Sequence, residues 1–237
     1  MELNTLIENA TPFLRYATDW LASLPTLAID DIVCGQPGNA AVLSVDLVNG
    51  FCYKGPLASP RVAALVDPVS NLFKRAYGAG IRNFITTQDA HAPDSPEFES
   101  YPPHCIRGTS ESQPVAAFTS LPFWNLFEVM PKQSLSSAIG TRLDPWLDEH
   151  PAVDAFITVG DCTDLCTYQL AMHLKLRGNA ANRKTRVILP VDCVNTYDLP
   201  VEAAKKIGAM PHHGDLLHLI FLYNMALNGV EVVATIN

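Results

Sequence analysis

The sequence predicts a three-layer α/β/α fold, in which helices cover both faces of a doubly wound sheet of about six mostly parallel strands. Short apolar runs alternate with longer segments of helical periodicity along most of the chain. Most of these runs are apolar on successive residues, which is typical of strands buried on both faces. The 237 residues are enough for one large domain with a well-buried core.

The first 38 residues are expected to form a helical extension, and residues 39–237 a single globular domain. Apolar residues recur near helical spacing over residues 2–23. Thr11 followed by Pro12 is typical of an N-cap and a first helical position, which favours a break into two helices there. We expect the extension to pack against the sheet or against a neighbouring subunit.

The remaining elements follow in a regular order. The predicted strands are 40–47, 83–88, 126–130, 155–159, 186–189 and 230–235. The predicted helices are 60–79, 134–149, 163–178 and 199–227. The segment from about 89 to 124 is polar and lacks periodicity, and a loop of that length inside a compact domain is usually functional.

Composition and charge exclude several classes of protein. The net charge is −8, and no basic run is present, which argues against a nucleic-acid partner. The N-terminus lacks a cationic signal-peptide region, and the longest apolar stretch is shorter than a membrane span. Six scattered cysteines in a chain of this size indicate reduced thiols and a cytoplasmic protein. The apolar C-terminal helix predicts an interface between copies, and therefore a homo-oligomer.

Four predicted strands end in ionisable residues, which are Asp46, Asp89, Lys132 and, after Gly160, Asp161. Because ligands bind beyond the carboxyl ends of parallel strands, we expect these side chains to face one crevice. Asp46 closes an apolar strand, so its carboxylate must be paired or functional; a helix N-cap or a structural ion pair is an equally good interpretation. A lysine at a strand end is ordinarily solvated.

A metal site is predicted in the long loop. Asp89 and His91 stand two residues apart, so their side chains point to one side of an extended segment. His104 follows behind two prolines, and Glu97 is a candidate fourth ligand. An aspartate with two histidines suits one divalent ion, namely Zn, Fe or Mn. The D-x-H pattern alone is common in surface loops.

Cys166 is the candidate nucleophile. A buried strand runs through Gly160 into a helix predicted to start near Thr163, which places Cys166 in the first turn. The positive end of a helix lowers the pKa of a thiol, and its free N–H groups can hold an oxyanion. Cys162 lies four residues earlier, a spacing that does not suggest a redox CxxC pair. The other four cysteines are expected to be small buried hydrophobic residues.

Together these segments resemble the isochorismatase-like cysteine hydrolases, and most closely the nicotinamidases (pyrazinamidases), over about residues 40–236. The family's D-x-x-N-x-F is matched by residues 46–51 and its metal loop by residues 89–109. Its catalytic lysine is matched by Lys132, and its nucleophile turn G-x-x-T-D-x-C by residues 160–166.

The resemblance implies hydrolysis of a small amide, in the first place nicotinamide to nicotinate and ammonia, a step of NAD salvage. It implies that Asp46 takes the thiol proton and passes it to ammonia, that Lys132 stabilises the anionic partners, and that Cys166 forms a thioester. It also implies a cis peptide between Asp161 and Cys162, with the N–H groups of Cys162 and Cys166 facing the oxyanion.

The resemblance further implies that Phe51 and Tyr101 sandwich a flat ring whose nitrogen is held by the metal. Asp161 and Leu165 depart from the family pattern, which leaves substrate choice open. The alternatives are a relative that acts on another small amide, a ureide or isochorismate, a non-catalytic binding protein on the same fold, and a redox role for Cys162 and Cys166.

Overall fold

The computed structural model describes residues 2–237, so Met1 of the predicted extension lies outside the described residues. The strands are β1 (Thr26–Leu27), β2 (Ala40–Val45), β3 (Asn83–Asp89), β4 (Phe127–Lys132), β5 (Ala155–Gly160), β6 (Arg186–Pro190), β7 (Glu231–Val233) and β8 (Thr235–Ile236). The α-helices are α1 (Leu3–Ala22), α2 (Ile29–Val33), α3 (Asn49–Cys52), α4 (Pro60–Ala63), α5 (Val66–Gly78), α6 (Ala116–Thr119), α7 (Leu143–Glu149), α8 (Cys166–Ala180), α9 (Val201–Ile207) and α10 (Gly214–Leu227).

The central sheet has six parallel strands in the order β4-β3-β2-β5-β6-β7, which confirms the predicted fold class. The chain builds outward from β2 through β3 to β4, and then returns to the other side of β2 with β5. The strand order therefore reverses between β2 and β5, and such a switch point is where ligands bind in open α/β sheets.

Each face of the sheet is covered by its own apolar core, as a three-layer fold requires. Side chains of β2 alternate between the two cores because the side-chain period of a strand is two. Val42 packs in the core that contains Phe73 of α5, and Leu43 packs in the core that contains Leu170 of α8. All six residues of β2 are buried, as its unbroken apolar sequence predicts.

The N-terminal segment is one helix, so the predicted break at Thr11 and Pro12 is wrong. Helix α1 continues through Pro12, and the Thr11 hydroxyl donates to a carbonyl one turn earlier instead of capping a second helix. Phe13 and Trp20 each meet the ring of Tyr223 in α10 edge-on at 5.2 Å between centroids. This packing on α10 outweighs the local cost of one proline, because tertiary contacts supply most helix stability.

Two long predicted helices are shorter in the structure. The segment before α7 is not helical, because the Ser136 hydroxyl accepts hydrogen bonds from the Ala138 and Ile139 N–H groups and competes with the helix pattern. The predicted C-terminal helix is divided into α9 and α10, since Gly208 adopts a left-handed conformation and ends α9. The side chain of His213 then caps the start of α10.

Smaller differences concern element ends. The predicted helix at 60–79 is divided into α4 and α5, and the last predicted strand is divided into β7 and β8. Strand β8 leaves the main sheet and pairs with β1. Within residues 2–237, no helix combines the length and the apolar character needed to cross a membrane.

Candidate active site

The ionisable residues at the strand ends converge, as predicted. Asp46 follows β2, Asp89 closes β3, Lys132 closes β4 and Asp161 follows β5, and each is only 1% exposed. Three of them, Asp46, Asp89 and Asp161, line a cavity of about 500 Å³ together with Cys166. The cavity therefore opens at the switch point between β2 and β5.

The ammonium group of Lys132 contacts two carboxylates and the Cys166 thiol. Its Nζ lies 2.7 Å from Asp46 Oδ2, 2.5 Å from Asp89 Oδ1 and 3.6 Å from Cys166 Sγ. Burial alone would lower the lysine pKa, but the charges of Asp46 and Asp89 outweigh it and hold the pKa well above its ordinary value. This lysine is a buried cation between two carboxylates and a thiol, and not a solvated strand end.

The carboxylate of Asp46 is held from two sides. Its Oδ1 accepts a hydrogen bond from the Asp89 N–H at 2.8 Å, while Oδ2 faces Lys132. Its backbone φ is 56°, a left-handed turn that Asp tolerates better than most residues. Burial, helped by the charge of Asp89, raises the pKa of Asp46 to about 6, although Lys132 and a hydrogen bond with Cys166 act in the opposite direction.

Cys166 is the first residue of α8, three residues later than the predicted helix start, and it is 6% exposed. Gly160 brings the turn against β2 so closely that an added Cβ would lie 2.1 Å from the Val45 carbonyl oxygen. The expected lowering of the Cys166 pKa is wrong: burial raises it well above its ordinary value, and Lys132 offsets only part of that effect. The resting thiol is therefore protonated and needs a nearby base.

The peptide bond between Asp161 and Cys162 is cis, as the resemblance implied. The carbonyl of Cys162 accepts from the N–H groups of Leu165 and Thr167. Among the described residues, neither the N–H group of Cys162 nor that of Cys166 donates to a backbone carbonyl in a turn, loop or helix cap. Both donors stand beside the cavity that these two cysteines line.

Asp161 hydrogen-bonds within this turn, because one of its carboxyl oxygens accepts from the Cys162 thiol at 3.4 Å. Its other oxygen is buried without a hydrogen-bond partner. Burial and the charge of Asp46 raise the pKa of Asp161 well above its ordinary value. A carboxyl side chain thus stands where the resemblance implied an apolar residue.

The four predicted metal-ligating residues lie together. One ligand atom from each of Asp89, His91, Glu97 and His104 lies within 4.8 Å of the others. His91 is fully buried, yet neither of its ring nitrogens has a hydrogen-bond partner. The Nδ1 of His104 lies 2.9 Å from the Pro102 carbonyl, which orients its other nitrogen toward the cluster. Two buried imidazoles and two carboxylates fit a divalent transition metal.

The aromatic pair also lines the cavity. The ring centroids of Phe51 and Tyr101 lie 5.5 Å and 6.2 Å from that of His104. Leu165, the other departure from the family pattern, contributes to the cavity wall as well. A flat ligand between these aromatic side chains would therefore stand next to the candidate metal ligands.

Part of the cavity wall has no clear signature in the sequence. Tyr197 lies in the segment between β6 and α9, seven residues after Pro190, so the rule about strand ends does not reach it. Its ring stacks on His212 at 3.9 Å, and His212 Nε2 lies 2.7 Å from Asp164 Oδ2 in the nucleophile turn. Ile207 and Met210, in and after α9, also line the cavity, and no sequence signal separates them from ordinary helix residues.

All six cysteines are free. Three of the four that were expected to be inert are buried, namely Cys52, Cys105 and Cys193, and burial raises the pKa of each. Cys34 is exposed, so the expectation of burial is wrong there, because the residue caps α2 at the surface in a left-handed conformation.

Comparison with known proteins gives consistent results. The chain is 28% identical over 231 residues to nicotinamidase 1 of Arabidopsis thaliana, covering 90% of this chain and 93% of the relative. It is 30% identical over 184 residues to the nicotinamidase/pyrazinamidase of Mycobacterium tuberculosis strain H37Rv, covering 70% of this chain and 93% of the relative.

Solved structures share the fold. One is the pyrazinamidase of Pyrococcus horikoshii, crystallised in complex with zinc, at a TM-score of 0.62 and 20% identity over 82% of this chain and 98% of that one. The Isochorismatase domain family matches residues 40–215, which is most of the chain and spans every residue of the site described above. The chain therefore belongs to the isochorismatase domain family.

Proposed function

We propose that the chain is an amidohydrolase that cleaves a small neutral carboxamide, in the first place nicotinamide, to the carboxylic acid and ammonia through a thioester on Cys166. One observation carries this proposal. A buried thiol, a buried carboxylate and a buried ammonium group lie within hydrogen-bonding reach of one another at the bottom of a cavity.

The chemistry follows from these contacts. As Cys166 Sγ adds to the amide carbonyl carbon, its proton passes to Asp46, and Lys132 stabilises the charges that result. The N–H groups of Cys162 and Cys166 donate to the carbonyl oxygen as it becomes negative. The C–N bond then breaks, and the nitrogen leaves as ammonia with the proton from Asp46.

The second half-reaction uses the same base. Asp46 takes a proton from a water molecule as its oxygen attacks the thioester carbon. The C–S bond breaks, the acid is released, and the sulfur recovers its proton. An amide is a poor electrophile, and division into two steps with a single carboxylate as base and acid lowers each barrier.

Asp89, His91, Glu97 and His104 would hold one divalent ion, namely Zn, Fe or Mn. Such an ion supplies a Lewis acid that can coordinate the ring nitrogen of a pyridine carboxamide. Phe51 and Tyr101 orient the ring by contact with its two faces.

The charge of the cavity favours neutral amides over isochorismate, which carries two carboxylates. Among the described residues, the cavity lining contains no lysine or arginine, and the nearby Lys132 is already paired with the lining residues Asp46 and Asp89. The lining also carries the carboxyl groups of Glu97, Asp161 and Asp198. No unpaired cationic side chain of this lining is therefore in place to bind the two carboxylates of isochorismate.

The test is release of ammonia from nicotinamide by the purified, metal-loaded protein. Cys166→Ala and Asp46→Asn are expected to abolish turnover and leave the circular dichroism spectrum unchanged. Cys193→Ala is the matched control, because that thiol is also buried but lies outside the cavity lining. Absence of ammonia at millimolar nicotinamide, or full activity of Cys166→Ala, would contradict the proposal.

A further inference from the structure

The cavity is larger than nicotinamide requires. Its volume of about 500 Å³ falls in the range that holds drug-sized ligands, whereas nicotinamide is a single six-membered ring with one carboxamide. The cavity leads from buried residues to the protein surface. Asp46 and Cys166 at its inner end are 1% and 6% exposed, while Ile207 and Met210 at its mouth are 71% and 87% exposed.

The outer part of the cavity has a different chemistry from the inner part. The inner end carries the carboxylates, the thiol and the candidate metal ligands. The outer wall is mostly apolar: beside the exposed Ser100 and Asp198 it carries Pro56, Leu57, Leu199, Ile207, Ala209 and Met210. When a ligand covers aliphatic groups that are open to water, removal of their surface from water stabilises the complex.

Backbone hydrogen bonds hold the part of this wall formed by residues 199–210 in place without a ligand. Gly208 turns the chain at the end of α9 with φ of 70°, and the Ala209 N–H donates to the Ala204 carbonyl. Leu199 exchanges two backbone hydrogen bonds with His212, which is bound in turn to Asp164 of the nucleophile turn. The outer wall is therefore tied to the same turn that presents Cys166.

We infer that these apolar side chains form an outer subsite that binds an apolar extension on a neutral carboxamide, so that the site accepts alkyl-substituted nicotinamides in addition to nicotinamide. This inference rests on the proposed amide hydrolysis. The extension lies on the side of the ring that faces away from both the carboxamide and the ring nitrogen, because the cavity leads from Cys166 and the candidate metal ligands outward to Ile207 and Met210.

A homologous series of 5-alkylnicotinamides, from methyl to butyl, tests the subsite. The 5-position points away from both the carboxamide and the ring nitrogen. For each methylene that enters the subsite, kcat/KM is expected to rise about fourfold, the equivalent of about 0.8 kcal/mol. If nicotinamide is hydrolysed but kcat/KM stays constant or falls with alkyl length, the inference is overturned, because the outer wall then does not bind the alkyl group.

Variants assign the effect to the outer wall. Ile207→Ser combined with Met210→Ser is expected to remove most of the gain with chain length, measured as the ratio of kcat/KM for the butyl compound to kcat/KM for nicotinamide in the same variant. Ile139→Ser is the matched control, because Ile139 is 76% exposed and lies outside the cavity lining. An equal loss of the gain in Ile139→Ser, or an undiminished gain in the double variant, contradicts the assignment.

Failure of the proposed function gives a different result. If no amide in the series is hydrolysed, calorimetric titration of the unmodified protein with the same compounds still reports the subsite. Affinity that rises with alkyl length supports the subsite while the hydrolytic function fails. Affinity that is independent of alkyl length overturns the subsite.

Discussion

Replacement of Lys132 by methionine is expected to destabilise the fold by about 3–5 kcal/mol. At distances of 2.7 Å and 2.5 Å, and an effective dielectric constant of about 20, the ammonium group gains about 6 kcal/mol from each carboxylate. Dehydration of the buried groups cancels a large part of this gain. Removal of one partner is nevertheless costly, because Asp46 and Asp89 would be left as buried charges without a cation.

Urea unfolding followed by tryptophan fluorescence measures the effect, with a chelator present throughout so that metal content does not vary. Lys175→Met is the control, because Lys175 is partly buried and its Nζ contacts the Thr185 carbonyl, with no carboxylate in the hydrogen bond. That variant should lose less than about 1 kcal/mol. An equal loss in both lysine variants would show that lost packing, and not lost charge, explains the result.

A second substitution separates charge from shape. Asp46→Asn, added to Lys132→Met, removes one of the two carboxylates that have lost their cation. It is expected to restore at least about 1 kcal/mol of the free energy of unfolding, because substitutions at interacting sites are not additive. If the double variant is no more stable than Lys132→Met alone, the electrostatic argument is refuted. The double variant also keeps the test informative if the single variant does not fold.

Three further predictions concern the turn, the metal ligands and pH. Gly160→Ala should destabilise the fold by more than about 3 kcal/mol in urea unfolding, because its Cβ would clash with the neighbouring strand, whereas Gly35→Ala, with nothing within 4 Å, should lose about 1 kcal/mol. His91→Ala should lower the metal-to-protein ratio at least tenfold by elemental analysis, and His150→Ala, outside the cavity lining, should leave it unchanged. Burial and Arg61 lower the pKa of His218 to about 4 in the folded state, whereas its ordinary value is 6.5. Between these two pH values the unfolded state therefore binds more protons than the folded state. Stability should therefore fall by up to about 3 kcal/mol more between pH 6.5 and pH 4 in the unmodified protein than in His218→Gln; equal slopes would contradict this.

The positions of the strands along the chain and the location of the site were predictable because both depend on local patterns. Runs of successive apolar residues identified every strand of the main sheet to within two residues. Polar residues at the ends of those runs identified Asp46, Asp89, Lys132 and Asp161 as neighbours. Parallel strands place their carboxyl ends at one edge, so the prediction needed no knowledge of individual contacts.

Features that depend on competition between distant groups were not predictable. Pro12 remains inside α1 because Phe13 and Trp20 pack on Tyr223, which is about 200 residues away along the chain. The pKa of Cys166 rises because burial outweighs the lysine charge, although the residue is at the positive end of a helix. Residue type indicates the direction of each effect, and only the packing determines which is larger.

The sequence by itself determined the layer architecture and the chemical groups at the carboxyl ends of the strands, since strand periodicity and the position of a residue at a strand end are local properties. The tertiary structure alone decided the distances from Lys132 to its three partners and the extent of the cavity beyond them. It also decided which side chains of the α9 region form the mouth. Those properties depend on how segments far apart in the chain pack against each other, and no local pattern specifies that packing.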